Sequence, residues 1–258
     1  MWTSADQIQP ETRNALAVDQ TPGVDLDSRC PDSPPDAALP QGRRPRSFHP
    51  RRRGLSSARA VAYSSAVQRW GIDATGDELD LVAVFGRRGR FVLDIGFGAG
   101  EALVELACCR PDELVVGVDV HTPGLAAVLD ETECRGLSNV RVVEGDALDL
   151  LDRLAPGALD EIRVWFPDPW PKRRHYVRRL VRPDVLVELV IRLRVGGSLH
   201  LATDVPDYAV VMERVCAADV RLGGGRVDRP VWRPITRYEQ RALDAGRRPV
   251  DLVYERRR

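Results

Sequence analysis

The chain has 258 residues, 38 Lys+Arg against 38 Asp+Glu, and an apolar share of 43%, which suits one large domain with appendages. A formal net charge of zero argues neither for nor against nucleic acid, so the placement of charge carries the information. No apolar run of membrane-spanning length occurs, the start (with Asp6 and Glu11) lacks a signal-peptide shape, and five cysteines without a C-x-x-C pair or a ligand-spaced histidine argue against a zinc site.

Residues 1–42 are polar and Pro-rich, with Pro22, Pro31, Pro34, Pro35 and Pro40 and no apolar period, and are expected to be a disordered extension. Residues 43–258 then form a single domain that opens with a basic arm and helix (43–71). The arm, Arg43-Arg-Pro-Arg-Ser-Phe-His-Pro-Arg-Arg-Arg53, is either a solvated tail or a segment that tracks phosphates, with Phe48 available to stack. Ser56 to Trp70 reads as a helix closed by Gly71.

The domain is organised around Phe91-Val-Leu-Asp-Ile-Gly-Phe-Gly-Ala-Gly-Glu101. A short run of strand formers leads to Gly96, Gly98 and Gly100, and Glu101 to Ala107 reads as an amphipathic helix. The third glycine comes one residue earlier than in the G-x-G-x-x-G dinucleotide fingerprint, and Asp94 sits in the turn, where it would repel a pyrophosphate and suit a cationic or amino-bearing ligand. This variant resembles the first motif of Rossmann-like S-adenosylmethionine methyltransferases.

Strands and helices then alternate. Strands are expected at 114–118, 140–143, 162–166 and 198–202, helices at 123–134, 147–154, 183–194 and 206–218, and two late strands near 226–233 and 250–254. The fold class is α/β: a mostly parallel seven-stranded sheet with helices on both faces and an antiparallel last strand. Cys108 and Cys109 close an apolar helix face and are expected to be core thiols in a reducing, cytoplasmic setting.

Each of the first five strands ends at an aspartate: Asp94, Asp119, Asp146, Asp168 and Asp204. Helix capping accounts for one or two such acids. Five on the carboxyl edge of a parallel sheet are better explained by a donor-rich ligand. Asp119 is placed to accept from ribose hydroxyls, Asp146 from an adenine amino group, and Asp94 stands near an ammonium or sulfonium.

After the fourth strand comes Trp165-Phe-Pro-Asp-Pro-Trp-Pro-Lys-Arg-Arg-His175. Prolines stiffen the presentation of Asp168, two tryptophans offer flat faces, and Lys172 (the chain's only lysine), Arg173, Arg174, Arg178, Arg179 and Arg182 form a basic run suited to phosphates. This stretch is similar to the signature of the bacterial tRNA (guanine-N7-)-methyltransferases. Further matches are Arg46-Ser-Phe48, Gly117-Val-Asp-Val-His-Thr-Pro-Gly124, Leu137-Ser-Asn-Val140, Ala202-Thr-Asp204, Thr236-Arg-Tyr-Glu-Gln-Arg241 and Asp251-Leu-Val-Tyr-Glu-Arg256.

The resemblance implies a class I fold, S-adenosylmethionine as cofactor, tRNA as partner, and methylation of the variable-loop guanine at tRNA position 46. It implies a cofactor site at Asp94, Asp119, Asp146 and Asp168 with Gly96, Gly98 and Gly100, Asp168 being also the catalytic candidate. It places the substrate at Lys172, Asp204, Thr236, Arg237, Tyr238 and Glu239. No metal or membrane is implied, and monomer and homodimer are both compatible.

This chain departs from the family pattern at Arg237, where a lysine is usual, at Ala242 in place of glycine, and at Arg247 and Val250 within a usual Gly-His-x-x-Trp. Guanine N7 needs no deprotonation to attack a methyl sulfonium, so no general base is expected; His175 is the nearby side chain that would contradict this. Rival readings are a methyltransferase or aminopropyltransferase on a small molecule, and a non-catalytic RNA-binding module.

Overall fold

The computed structural model describes residues 55–258, so the expected extension (1–42) and the arginine arm (43–53) lie outside the described residues. Helix α1 (Ser57–Trp70) ends at Gly71. The chain then touches the third strand of the sheet through Ile72 N–H, which donates to the Val142 carbonyl (2.8 Å). Arg59 and Arg69 of α1 pair with Asp130 (3.1 Å) and Glu133 (2.9 Å).

A five-residue helix follows, α2 (Leu81–Phe85), capped by the Asp80 carboxylate, which accepts from the amides of Val82 and Ala83. Its Leu-Val-Ala-Val-Phe is a strand-prone string, too short for a helical period to show in the sequence.

The remaining elements alternate as expected, with one unexpected helix between the last two strands: β1 (Arg90–Ile95), α3 (Glu101–Cys109), β2 (Glu113–Asp119), α4 (Thr122–Cys134), β3 (Val140–Glu144), α5 (Ala147–Asp152), β4 (Leu159–Trp165), α6 (Pro183–Arg192), β5 (Leu193–Thr203), α7 (Pro206–Ala217), β6 (Leu222–Val227), α8 (Arg237–Asp244) and β7 (Val250–Arg256). They build one seven-stranded sheet in the order β3-β2-β1-β4-β5-β7-β6. β1 to β5 are mutually parallel, and β7 runs antiparallel between β5 and β6. The strand order reverses at β1, so the carboxyl ends of β1 and β4 flank the crevice where such sheets take ligands.

The central strands read Val/Leu/Ile on both faces because helices cover both. Val92, Leu93, Val115, Ile162, Val164, Leu199 and Leu201 have essentially no exposed surface. The Leu-Ser-Asn-Val segment has a structural role: buried Asn139 donates to the carbonyls of Ala107 and Glu113 (3.0 Å each), tying the entry of β3 to α3 and β2.

Three expectations shift. β5 begins at Leu193, directly after α6, because Leu193 pairs with Leu159 before a register break that Gly196 and Gly197 accommodate. β6 runs through Gly223-Gly224-Gly225 rather than 226–233; as an edge strand bonded only to β7, it has one ladder to satisfy. Cys109 and Cys134 are exposed and Cys108 only partly covered, so among the described residues Cys216, not the Cys108–Cys109 pair, is the core thiol.

Candidate active site

A cavity of about 660 Å³ opens at the carboxyl edge of β1, β2 and β4. Its floor is the turn after β1. Gly96, Gly98 and Gly100 have φ of 76°, 61° and 79°, a left-handed run that side chains with a Cβ resist. A Cβ on Gly96 or Gly98 would meet no protein atom within 4 Å, so the turn offers bare backbone to whatever fills the cavity. From behind, α4 is pressed against the same turn: a Cβ on Gly124 would lie 1.8 Å from the Gly98 carbonyl oxygen.

Asp119, at the end of β2, is clamped by backbone. Its two oxygens accept from Gly98 N–H (2.7 Å) and His121 N–H (2.8 Å). Burial raises its pKa, against the lowering effect of these amides. Each oxygen keeps a further lone pair, so the carboxylate is an acceptor already held in place.

Asp94 is 3% exposed. Burial pushes its pKa to about 7; Arg163, its register partner on β4, opposes that rise, while Asp119 and Glu161 add to it. Arg163 is wholly buried and committed elsewhere, to Glu113 (2.6 Å) and Glu161 (2.7 Å). The cavity therefore presents a half-neutralised acid that a cation would ionise.

Asp168 is exposed and lines the cavity. The two non-glycine residues with positive φ among the described residues, Phe166 (55°) and Trp170 (44°), bracket it. Strained backbone of this kind persists only where its surroundings hold it, and here it aims the acid's loop. Asp146 takes the capping role: it accepts from Leu148 N–H (3.0 Å) at the start of α5, while its neighbours Gly145 and Ala147 line the cavity.

The residues assigned to substrate divide into two groups. Thr236, Arg237 and Tyr238 line the cavity. Thr236 caps α8 by accepting from Glu239 N–H (3.2 Å). Arg237 pairs with Glu101 at the start of α3, its backbone N–H donating to the same carboxylate (2.9 Å). The Tyr238 ring packs on Phe166 with centroids 5.4 Å apart.

Lys172, Asp204 and Glu239 are outside the lining. Lys172 is exposed ahead of a short 3-10 helix (Arg173–Arg178). Asp204 is buried under Arg247 (3.0 Å) and accepts from the Tyr238 hydroxyl (3.4 Å). Glu239 is wholly buried, with both oxygens on Arg233 (2.7 Å each) and a third contact to Arg229 (3.2 Å). A carboxylate so placed is held by cation donors and ties α8 to them.

Sequence patterns do not reveal the group that holds α8. Residues 228–236 form a strap across the sheet face. Trp232 stacks under Arg110 (4.2 Å), meets His200 edge-on and packs tilted against Trp165. Arg233 bridges Glu239 and Asp251 (2.8 Å), and Asp251 also bonds His200 (2.8 Å). Burial alone would raise the Asp251 pKa, but His200 and Arg233 outweigh it and hold it below the usual value. The one signal in the sequence is Arg163 among Ile162, Val164 and Trp165, since a buried charge demands partners, and its guanidinium lies over the Trp232 ring (5.5 Å).

His175 meets Trp170 edge-on (5.8 Å) and accepts from Arg174 Nε (3.3 Å). Partial desolvation and the charges of Arg174, Arg178 and Lys172 lower its pKa. Among the described residues no cluster of three or more His, Cys, Asp or Glu has the arrangement to hold a metal ion, and no helix is long and apolar enough to cross a membrane.

A family model described as "Putative methyltransferase" matches residues 88–252. The chain is 44% identical over 238 residues to the tRNA (guanine-N(7)-)-methyltransferase of Streptomyces avermitilis, an alignment covering 88% of this chain and 81% of that protein. It is 43% identical to the protein of the same description from Streptomyces coelicolor, covering 88% of each. It is 40% identical to that from Nitrosomonas eutropha, covering 81% of this chain and 95% of that protein.

Proposed function

This chain belongs to the family of tRNA (guanine-N(7)-)-methyltransferases, and from that premise we propose that its target is the guanine at position 46 of the tRNA variable loop. The reaction is S-adenosylmethionine-dependent methylation of guanine N7 in tRNA. The observation that carries the site assignment is the glycine turn. Two backbone positions there open onto the cavity where a Cβ would otherwise project, directly above an aspartate that backbone amides hold in place.

The residues present fit the cofactor. Asp119 would take the ribose hydroxyls, the bare turn would admit the adenosyl group closely, and Asp94 would face the amino-acid end. Asp146, also a helix cap, would accept from an adenine amino group. When bound, S-adenosylmethionine supplies an electrophilic methyl on a sulfonium.

The chain's own contribution is alignment. N7 has an in-plane lone pair and needs no proton removed. Asp168, held between two strained residues at the cavity mouth, would orient the incoming base, and Phe166 with Tyr238 would form an aromatic wall that excludes water from it. The guanine ring gains positive charge as the methyl transfers, and the acids Asp168 and Asp94 would favour that charge. A base reached this way is drawn out of its stack. Lys172, Arg173 and Arg174, exposed in the stretch that follows Asp168, would hold the tRNA phosphates.

The deciding experiment is incubation with unmodified tRNA and methyl-labelled cofactor, followed by digestion and mapping. Label at N7 of guanine 46 is expected. Label on another nucleotide would overturn the position, and label only on small metabolites would favour the rival small-molecule reading.

A further inference from the structure

The acid that ends β5 already has an occupant. Asp204 is 4% exposed, and Arg247 Nε lies 3.0 Å from its Oδ2. The Tyr238 hydroxyl donates to its Oδ1 at 3.4 Å. Arg247 sits just past α8 and Gly246, in the connection to β7, with half of its side chain (51%) in solvent. Its guanidinium covers a carboxylate that would otherwise lie buried with one neutral donor. Tyr238 lines the cofactor cavity, and its hydroxyl is influenced by Asp204, Arg247 and Asp168 together. The covered acid therefore adjoins the place where the base must enter.

The chemistry of the cover matches that of the substrate. Guanine presents N1–H and the 2-amino group across one carbon, an N–C–N fork of donors with the spacing of an arginine guanidinium; a carboxylate can accept either fork with two parallel bonds, and Arg247 makes one such contact, Nε to Oδ2. Adenine presents an acceptor at N1 and no amino group at C2, so it would leave Asp204 with an unpaired charge.

Asp204 is the acid at which the family resemblance places the substrate; we propose that Arg247 is the stand-in there for the donor edge of the target guanine in the tRNA-free protein, displaced to solvent when the base arrives. This rests on the reading that the chain methylates a tRNA guanine. Arg247 is a positioning residue: it holds the buried acid in place, and it costs affinity because tRNA must expel it. It also raises discrimination, since only a base carrying the same donor fork compensates Asp204 for the loss.

The test is the Arg247→Ala variant, assayed with a tRNA transcript and with methylguanidinium as probe. The KM for tRNA is expected to fall roughly three- to fivefold, the scale of one partly exposed ion pair acting as a competing state, with kcat unchanged. Millimolar methylguanidinium should restore the higher KM in the variant, in competition with tRNA, and leave the unsubstituted protein nearly unaffected.

A rise in KM with a flatter salt dependence would make Arg247 a phosphate contact and overturn the proposal. So would a loss of thermal stability that methylguanidinium repairs together with activity, since that marks a purely structural role. Arg247→Lys keeps a cation on the acid and carries the test if the alanine variant does not fold; its KM should fall by less, and a rise overturns the idea. Failure of the underlying reading is distinguishable, because the unsubstituted protein would then place no methyl on tRNA guanine N7.

Discussion

Arg233 and Glu239 form a two-bond ion pair, Nη1 to Oε2 and Nη2 to Oε1 at 2.7 Å each, with both side chains wholly shielded from solvent. The pair joins the strap across the sheet to α8, the helix whose first residues line the cavity. Arg233 also serves Asp251, so its removal takes a main partner from two buried carboxylates, leaving Arg229 on Glu239 and His200 on Asp251. Arg233→Ala should cost about 3–5 kcal/mol of folding stability, read as a lower urea midpoint with unchanged slope. A midpoint shift no larger than that of an exposed arginine would show that the pair contributes little.

Asp94 makes cofactor affinity depend on pH. With a folded pKa of about 7 against 3.8 for the free side chain, the cofactor-free protein holds an extra proton between those values. This group's contribution to apo stability therefore declines as pH rises from about 4 toward 7. A cationic ligand favours the ionised acid, so binding should release protons near neutrality and tighten as pH rises through 7. Calorimetry in buffers of different ionisation enthalpy measures the release directly. Asp94→Asn should abolish it and weaken binding above pH 7; pH-independent binding by the unsubstituted protein would mean that no cation sits against Asp94.

Asp119→Ala removes a carboxylate that orders the turn as well as any ligand bond. Loss of about 1.5–3 kcal/mol in cofactor binding is expected, with folding largely intact because the residue lies at the sheet edge. Unchanged affinity in titration calorimetry would take Asp119 out of the site.

The exposed run Lys172, Arg173 and Arg174 should meet phosphates. Neutralising all three is expected to reduce the slope of log K for tRNA against log salt by about 0.7–0.9 for each phosphate no longer paired, with cofactor affinity unaffected. An identical slope would return these residues to an ordinary solvated surface.

Single-turnover rates should carry no ionisation from His175. Its pKa is lowered by desolvation and by flanking cations, and Arg174 already donates to its Nε2. His175→Gln should leave the pH profile in place. A profile that loses one ionisation in that variant would establish a general base.

Local patterns make much of this molecule readable from its residues. The β1–glycine turn–α3 unit and the strand-end aspartates depend on neighbours in sequence, and they stand where periodicity and turn chemistry place them. The partners of those acids are not readable. Arg247 meets Asp204, and Arg233 meets Asp251, across stretches that no periodicity connects.

Residues 226–233 resemble a strand because Val227, Val231 and Trp232 are strand formers. Tertiary packing overrides that preference: Trp232 is wanted on the face of the sheet, and the neighbouring glycines form the edge strand instead. The inward turn of Glu239 is likewise not legible, because its two arginine partners lie on the strap.

The contact between Gly124 and the Gly98 carbonyl has a consequence for how the site can vary. The bed beneath the cofactor is a two-piece part, one piece supplied by the turn and the other by the missing methyl on a helix that follows the next strand. Neither piece can be reshaped alone, because any bulk added at 124 is transmitted through one carbonyl into the ligand's resting place. A change there would masquerade as an altered binding residue while touching no ligand atom, and relief from it would have to come from the turn itself.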